Sequence, residues 1–105
     1  MRYDFQWDFE KAKTNRRKHG VGFEEAATVF LDPRMLTLYD KDHSEAEDRW
    51  LTLGISSKGR LLVVCHTFRR ELSSETAIRI FSSRKATQRE MRQYGQYEEY
   101  GQHEE

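Results

Sequence analysis

The stretch "IRIFSSRKA", residues 78–86, places three cations, Arg79, Arg84 and Lys85, within seven residues at the end of an apolar–polar alternation. Ile78 and Ile80 share one face of the strand this pattern describes, and Arg79 and Phe81 share the other. With the isoleucines in a core, Arg79 projects from the opposite side. Arg84 and Lys85 fall where the alternation gives way to a helical pattern. Free backbone N–H groups and the helix dipole favour an anion at such a junction. Three cations there suit a phosphate group. His66, in the apolar run "LLVVCHTF", is placed to share the Arg79 face if the register allows. An imidazole beside arginines resists protonation and can act near pH 7 as a general base. Cleaving RNA without a metal requires a base for the 2′-hydroxyl, a proton for the leaving oxygen and cationic stabilisation of the phosphorane. The last of these is usually the largest contribution. The competing explanations are a surface ion pair for Arg79 and a hydrogen-bonded strand histidine for His66.

Other chemistries find less support. His19, His43, His66 and His103 are widely spaced, and no metal-binding pair such as HExxH or CxxC occurs. "DKDHSEAED", residues 40–48, lacks the glycine and terminal glutamate of a calcium loop and reads as a solvated hairpin. Cys65, the single cysteine, lies within an apolar run, as a small core residue would. It leaves no disulfide framework, which fits a reducing cytoplasm.

The elements that must position these residues are legible in outline. A chain of 105 residues is expected to form one domain. Its formal net charge of zero conceals a segregation: residues 60–92 carry eight Lys and Arg against Glu71, Glu75 and Glu90, while residues 93–105 carry only Glu. Alternation at Phe5, Trp7 and Phe9 suggests a short strand or extended arm. Asp8 is placed to cap a helix that Gly20 ends, and Lys11, Asn15 and Lys18 line one face of it, expected to be a solvated stripe. Phe23, Ala26, Ala27 and Phe30 give a second helix an apolar face, and Asp32-Pro33 stops it. Strands follow at about 35–40, 49–56, 61–68 and 76–82, joined by the tight connection "SSKG" and the looser "RRELSS". A last helix starts between Ser83 and Thr87, with Thr87 and Glu90 at capping-box spacing. Residues 1–94 read as the domain. The repeat "YGQYEE" and "YGQHEE" places an acidic, flexible tail at 95–105.

"FQWDFEKAKTNRRKHGVGFEEAATVFLDP", "GRLLVVCHT" and "IRIFSSRKAT", with the Glu that follows, closely resemble the BrnT family of bacterial type II toxins. The matched positions run from Phe5 to about Tyr94. The resemblance implies an α+β, RelE-like fold: N-terminal helices on an antiparallel sheet of about four strands, with a C-terminal helix. It implies a bacterial cytoplasmic endoribonuclease that stops translation, acting on mRNA on or off the ribosome. It also implies a cognate BrnA antitoxin whose ribbon-helix-helix part binds DNA, so that DNA meets this chain only indirectly. The family signature falls on Arg79, Ile80, Ser82, Arg84 and Ala86, and a second on Val64, His66 and Thr67. Gly22 stands where a Ser or Thr cap is usual, and Ser83 where alanine is common. The expected site is then His66, Arg79 and Arg84 for catalysis and Arg60, Ser82, Lys85 and Arg89 for RNA binding, with no metal or cofactor. Glu47 is an alternative base and His19 a further substrate contact, but a hairpin charge pair explains the first better and closure of the helix C-terminus the second. A noncatalytic nucleic-acid-binding module on the same basic face is the second reading, and a protein that meets only an acidic partner the third.

Overall fold

A computed structural model describes residues 2–70 and 75–103, with side chains over 3–70 and 75–95. Strand β1 (Arg2–Gln6) leads into helix α1 (Phe9–His19), short helix α2 (Phe23–Ala27) and a 3₁₀ turn (Thr28–Leu31). Strands β2 (Leu36–Tyr39), β3 (Trp50–Ile55), β4 (Leu61–Arg70) and β5 (Glu75–Lys85) follow, then helix α3 (Gln88–His103). The sheet has five strands in the order β1-β5-β4-β3-β2. β2 to β5 pair antiparallel, as short connections require, but β1 adds in parallel beside β5. The sheet is therefore mixed and one strand larger than expected.

Local signals account for the helices. The Asp8 carboxylate accepts a hydrogen bond from the Lys11 N–H at 2.9 Å, and Gly20 ends α1 at φ 68°, where a β-carbon is disfavoured. Gly22 precedes α2 with no side-chain cap, and the helix tightens to 3₁₀ after a little over one turn. The predicted apolar stripe is nevertheless buried: Phe23, Ala26 and Phe30 join Val21, Val29, Leu62, Val64, Ile78 and Ile80 in the main core. Full burial of a side chain the size of Phe23 contributes about 1.5–3 kcal/mol. Gly54 lets β3 pass the 3₁₀ turn, because a β-carbon there would meet the Val29 side chain at 2.8 Å.

Leu53, Val63, Ala86 and Tyr94 form a second cluster on the other face of the sheet, under α3. The Tyr94 hydroxyl donates to Asp32 at 2.6 Å and ties α3 to the body. The backbone of α3 continues through most of the acidic repeat to His103. The loop read as "RRELSS" falls largely at 71–74, outside the described residues.

Two features of β5 position the site. Its pairing with β4 is regular up to Cys65 and Ser82, then resumes at His66 and Ile80, so Phe81 is an extra residue in a bulge. β1 pairs with β5 only as far as Gln6 and Arg79, leaving the next residues of β5 without a strand on that side. Asn15 of α1 substitutes for one. Its amide nitrogen donates to the carbonyls of Ser83 (2.8 Å) and Val21 (2.9 Å), and its oxygen accepts from the Ser83 N–H (3.1 Å). This buried side chain fixes α1 against the exposed edge of β5.

Candidate nucleic-acid interface

The polar face of α1 is solvated at Lys11 and Lys18, but Asn15 within it is buried. With Asn15 bonded to β5, the lysine one turn earlier is carried to the bulge: Lys11 Nζ lies 5.3 Å from the centroid of the Phe81 ring. The Arg49 guanidinium, just before β3, lies 4.1 Å from the same ring, and that of Arg79 lies 5.4 Å away. Three cations from three elements thus converge on one half-buried aromatic ring. Each gains about 0.5–1 kcal/mol from the ring at an exposed site, while all three repel one another. Lys11 and Arg79 have no carboxylate within ion-pair distance among the described residues, and the Glu47–Arg49 contact is a loose 4.0 Å. Bringing a phosphate to the ring relieves this repulsion.

Open grooves flank the cluster. One, of about 310 Å³, runs between α1 and β5 and is lined by Lys11, Asn15, Lys18, His19, Phe81 and Ser82. The other, of about 330 Å³, lies on the far side of Arg79 and is lined by Gln6, Glu47, Asp48, Thr67 and Arg69. Ser82 and His19 both line the first of these grooves.

The structure separates the remaining expected residues. His66 does not share the Arg79 face. It pairs with Ile80, and its ring is fully buried between Phe30 and Phe68, 4.9 and 4.7 Å away and nearly perpendicular to both. Its Nδ1 lies 3.2 Å from the Thr67 carbonyl, which can only accept, so that nitrogen carries the proton. Nε2 then accepts from the Thr52 hydroxyl at 2.6 Å, and Thr52 in turn meets Thr37 at 2.9 Å. Burial lowers the pKa of His66 to about 4, with the Thr67 hydrogen bond opposing the shift. Both nitrogens are occupied and neither reaches the cleft.

Arg84 also departs from expectation. β5 extends to Lys85, so Arg84 and Lys85 belong to the strand and the helix junction lies beyond them. The Arg84 guanidinium makes a two-point pair with Glu90, at 2.8 and 2.9 Å. Glu90 simultaneously closes the capping box by accepting from the Thr87 N–H. The Arg84 hydrogen bonds hold the Glu90 carboxyl down at about 2, so the pair is neutral overall near pH 7. Arg60 is engaged too: it bonds both oxygens of buried Glu25 and donates to the Gly20 carbonyl, closing α1 against the β3–β4 turn. Lys85 pairs with Leu62 of the main core and so starts from the face that carries α1 and α2, away from Arg79. Arg89 is exposed on α3.

An expected result follows for Arg84. Arg84→Ala should lower unfolding free energy in urea by roughly 1 kcal/mol, the scale of a partly exposed two-point ion pair. RNA cleavage should stay within a few-fold of wild type. A hundredfold loss of cleavage at unchanged stability would return Arg84 to the reacting phosphate.

Sequence reasoning missed Lys11 and Arg49. The spacing of Lys11, Asn15 and Lys18 was the available signal for the first. Arg49 was obscured by the acids beside it.

An α+β fold that gathers Lys11, Arg49 and Arg79 around an aromatic ring on an open face suits a polyanionic ligand. The family model for the ribonuclease toxin BrnT of type II toxin-antitoxin systems matches residues 7–90, and the chain belongs to that family. It is thus a ribonuclease toxin, with RNA as substrate and an antitoxin as partner. The 1.1 Å crystal structure of the Brucella abortus ribonuclease toxin BrnT has a similar fold, with TM-score 0.57 and 23% identity, over 84% of this chain and 100% of that one. No curated protein matches the sequence. Among the described residues, no helix is long and apolar enough to cross a membrane.

Proposed function

We propose that the protein cleaves RNA without a metal ion, by attack of a 2′-hydroxyl on the adjacent phosphate, and that the phosphate sits at the Phe81 ring. The observation that carries this reading is the convergence of Lys11, Arg49 and Arg79 on that ring. Arg79 and Arg49 stabilise the developing phosphorane charge, Lys11 holds a non-bridging oxygen, and Phe81 offers a face on which a base can stack. Ser82, Lys18 and His19 extend the track along α1. Lys85 and Arg89 lie further out and add long-range attraction. Destruction of mRNA in the cytoplasm arrests translation. The partner is a BrnA-type antitoxin with a ribbon-helix-helix DNA-binding part, silencing the toxin by covering these cations, so that association weakens with salt.

Purified toxin, freed of antitoxin, should cleave RNA in EDTA and leave a cyclic or 3′ phosphate on the upstream fragment. Strict dependence on added magnesium, with 3′-hydroxyl ends, would overturn the mechanism.

A further inference from the structure

The groove beside Arg79 contains a carboxylate that the phosphate-binding cluster does not use. We infer that Glu47 is the general base that takes the 2′-hydroxyl proton, an assignment that rests on the RNA-cleaving reading above. Glu47 and Arg79 line one groove, and Glu47 Oε1 lies 4.0 Å from Arg49 Nη2. That separation is too long for a hydrogen bond, so the arginine orients the carboxylate without occupying its acceptor sites. Arg49 in turn lies against the Phe81 ring. One arginine therefore spans the proposed phosphate site and a carboxylate with free lone pairs.

Among the described residues, the other bases near the cleft are committed or misplaced. His66 is buried on the opposite face with both nitrogens bonded. Glu90 is held by Arg84 and the α3 capping box. Asp48, which shares the groove, accepts from the Tyr39 hydroxyl at 2.9 Å, a bond that steadies the loop carrying Glu47. Glu10 and His19 line the α1 groove instead, and His19 is two turns beyond Lys11, about 12 Å along the helix. A carboxylate among phosphate-binding cations weakens RNA binding, and its place in the groove suits a role in proton transfer.

The step balances without a further reactant. A Glu47 oxygen accepts the 2′-hydroxyl proton as the 2′-oxygen bonds to phosphorus. The phosphorus–O5′ bond breaks, O5′ takes a proton from solvent through the open groove, and a 2′,3′-cyclic phosphate remains upstream. Glu47 then returns its proton to water.

The test is single-turnover cleavage of a defined RNA by Glu47→Gln, Glu47→Asp and Arg79→Ala toxin in EDTA across a pH range, with melting temperatures measured alongside. Glu47→Gln should cleave about 10²–10⁴-fold more slowly, the usual range for loss of a general base. It should bind a non-cleavable RNA, deoxy at the scissile nucleotide, at least as tightly as wild type, since a negative charge has gone. Glu47→Asp should recover part of the rate. Arg79→Ala inactive beside Glu47→Gln at wild-type rate overturns the base assignment and leaves the phosphate site standing. Weakened RNA binding by Glu47→Gln with an unchanged rate at saturation also overturns it. Wild-type toxin that cannot cleave in EDTA removes the reading beneath it, and the inference with it.

Discussion

Arg79→Ala toxin should cleave RNA about 10²–10³-fold more slowly while melting within a degree or two of wild type. The size follows from removing a charged donor from the phosphorane, by analogy with loss of one oxyanion-hole donor, about 2.7–4 kcal/mol. The small stability change follows from the surroundings of Arg79. Its side chain is exposed, pairs with no carboxylate among the described residues, and meets Phe81 at 5.4 Å. Only a cation–π contact of about 0.5–1 kcal/mol is lost, partly offset by relief of repulsion from Arg49 and Lys11. Arg79→Lys keeps the charge but loses the planar two-point donor, and should recover part of the rate. Growth arrest on induction without antitoxin, with cleavage assayed in vitro, reads the effect. Arg79→Ala that still arrests growth but melts many degrees lower would make the arginine structural. Arg84→Ala is expected to show the opposite balance, losing stability and keeping activity. That contrast separates an arginine facing substrate from one facing Glu90, although both lie in the same family signature.

What the sequence disclosed and what it concealed divides along a physical line. Features set by a few neighbouring residues were legible: Asp8 and Gly20 bounding α1, the Thr87–Glu90 box, the Asp32-Pro33 stop, the turn at 56–59, and the alternation that projects Arg79 away from Ile78 and Ile80. Features that need two distant segments in register were not. The face His66 presents depends on its pairing with Ile80 across a bulge, and nothing in either strand's own pattern announces an extra residue at Phe81. Polar residues mid-helix carry no sign of a distant partner, and nothing near Asn15 in sequence announces that its amide completes the edge of β5. Cation counting located the basic region but could not tell free charge from spent charge. Arg60 and Arg84 are paired with carboxylates 35 and 6 residues away, whereas Lys11 and Arg49 supply the cluster from outside the 60–92 segment.

The buried histidine sets the expected dependence of stability on pH between 6.5 and 4.5. In the unfolded chain His66 titrates near its ordinary value of 6.5, and in the folded protein near 4. Above pH 6.5 it is neutral in both states and costs nothing. As pH falls from 6.5 towards 4, the unfolded chain takes up a proton that the folded protein refuses, so stability is lost across that window, by about 3 kcal/mol in full. Glu25 and Glu90 are held near 2, Glu25 chiefly by its Arg60 hydrogen bonds and Glu90 by those of Arg84. Their stabilising contributions fall away only below about pH 4.5, which leaves the interval from 6.5 to 4.5 to the histidine. Urea unfolding at intervals of half a pH unit should therefore show a steady decline there, continuing more steeply below it. His66→Gln keeps a polar side chain facing Thr52 without a titrating group. It should be less stable at pH 7 but nearly flat between pH 6.5 and 4.5, and it should retain most RNA cleavage at neutral pH. An unchanged slope in His66→Gln would locate the acid sensitivity elsewhere. A hundredfold loss of cleavage by a folded His66→Gln protein would place the imidazole back in the reaction, against its burial between Phe30 and Phe68.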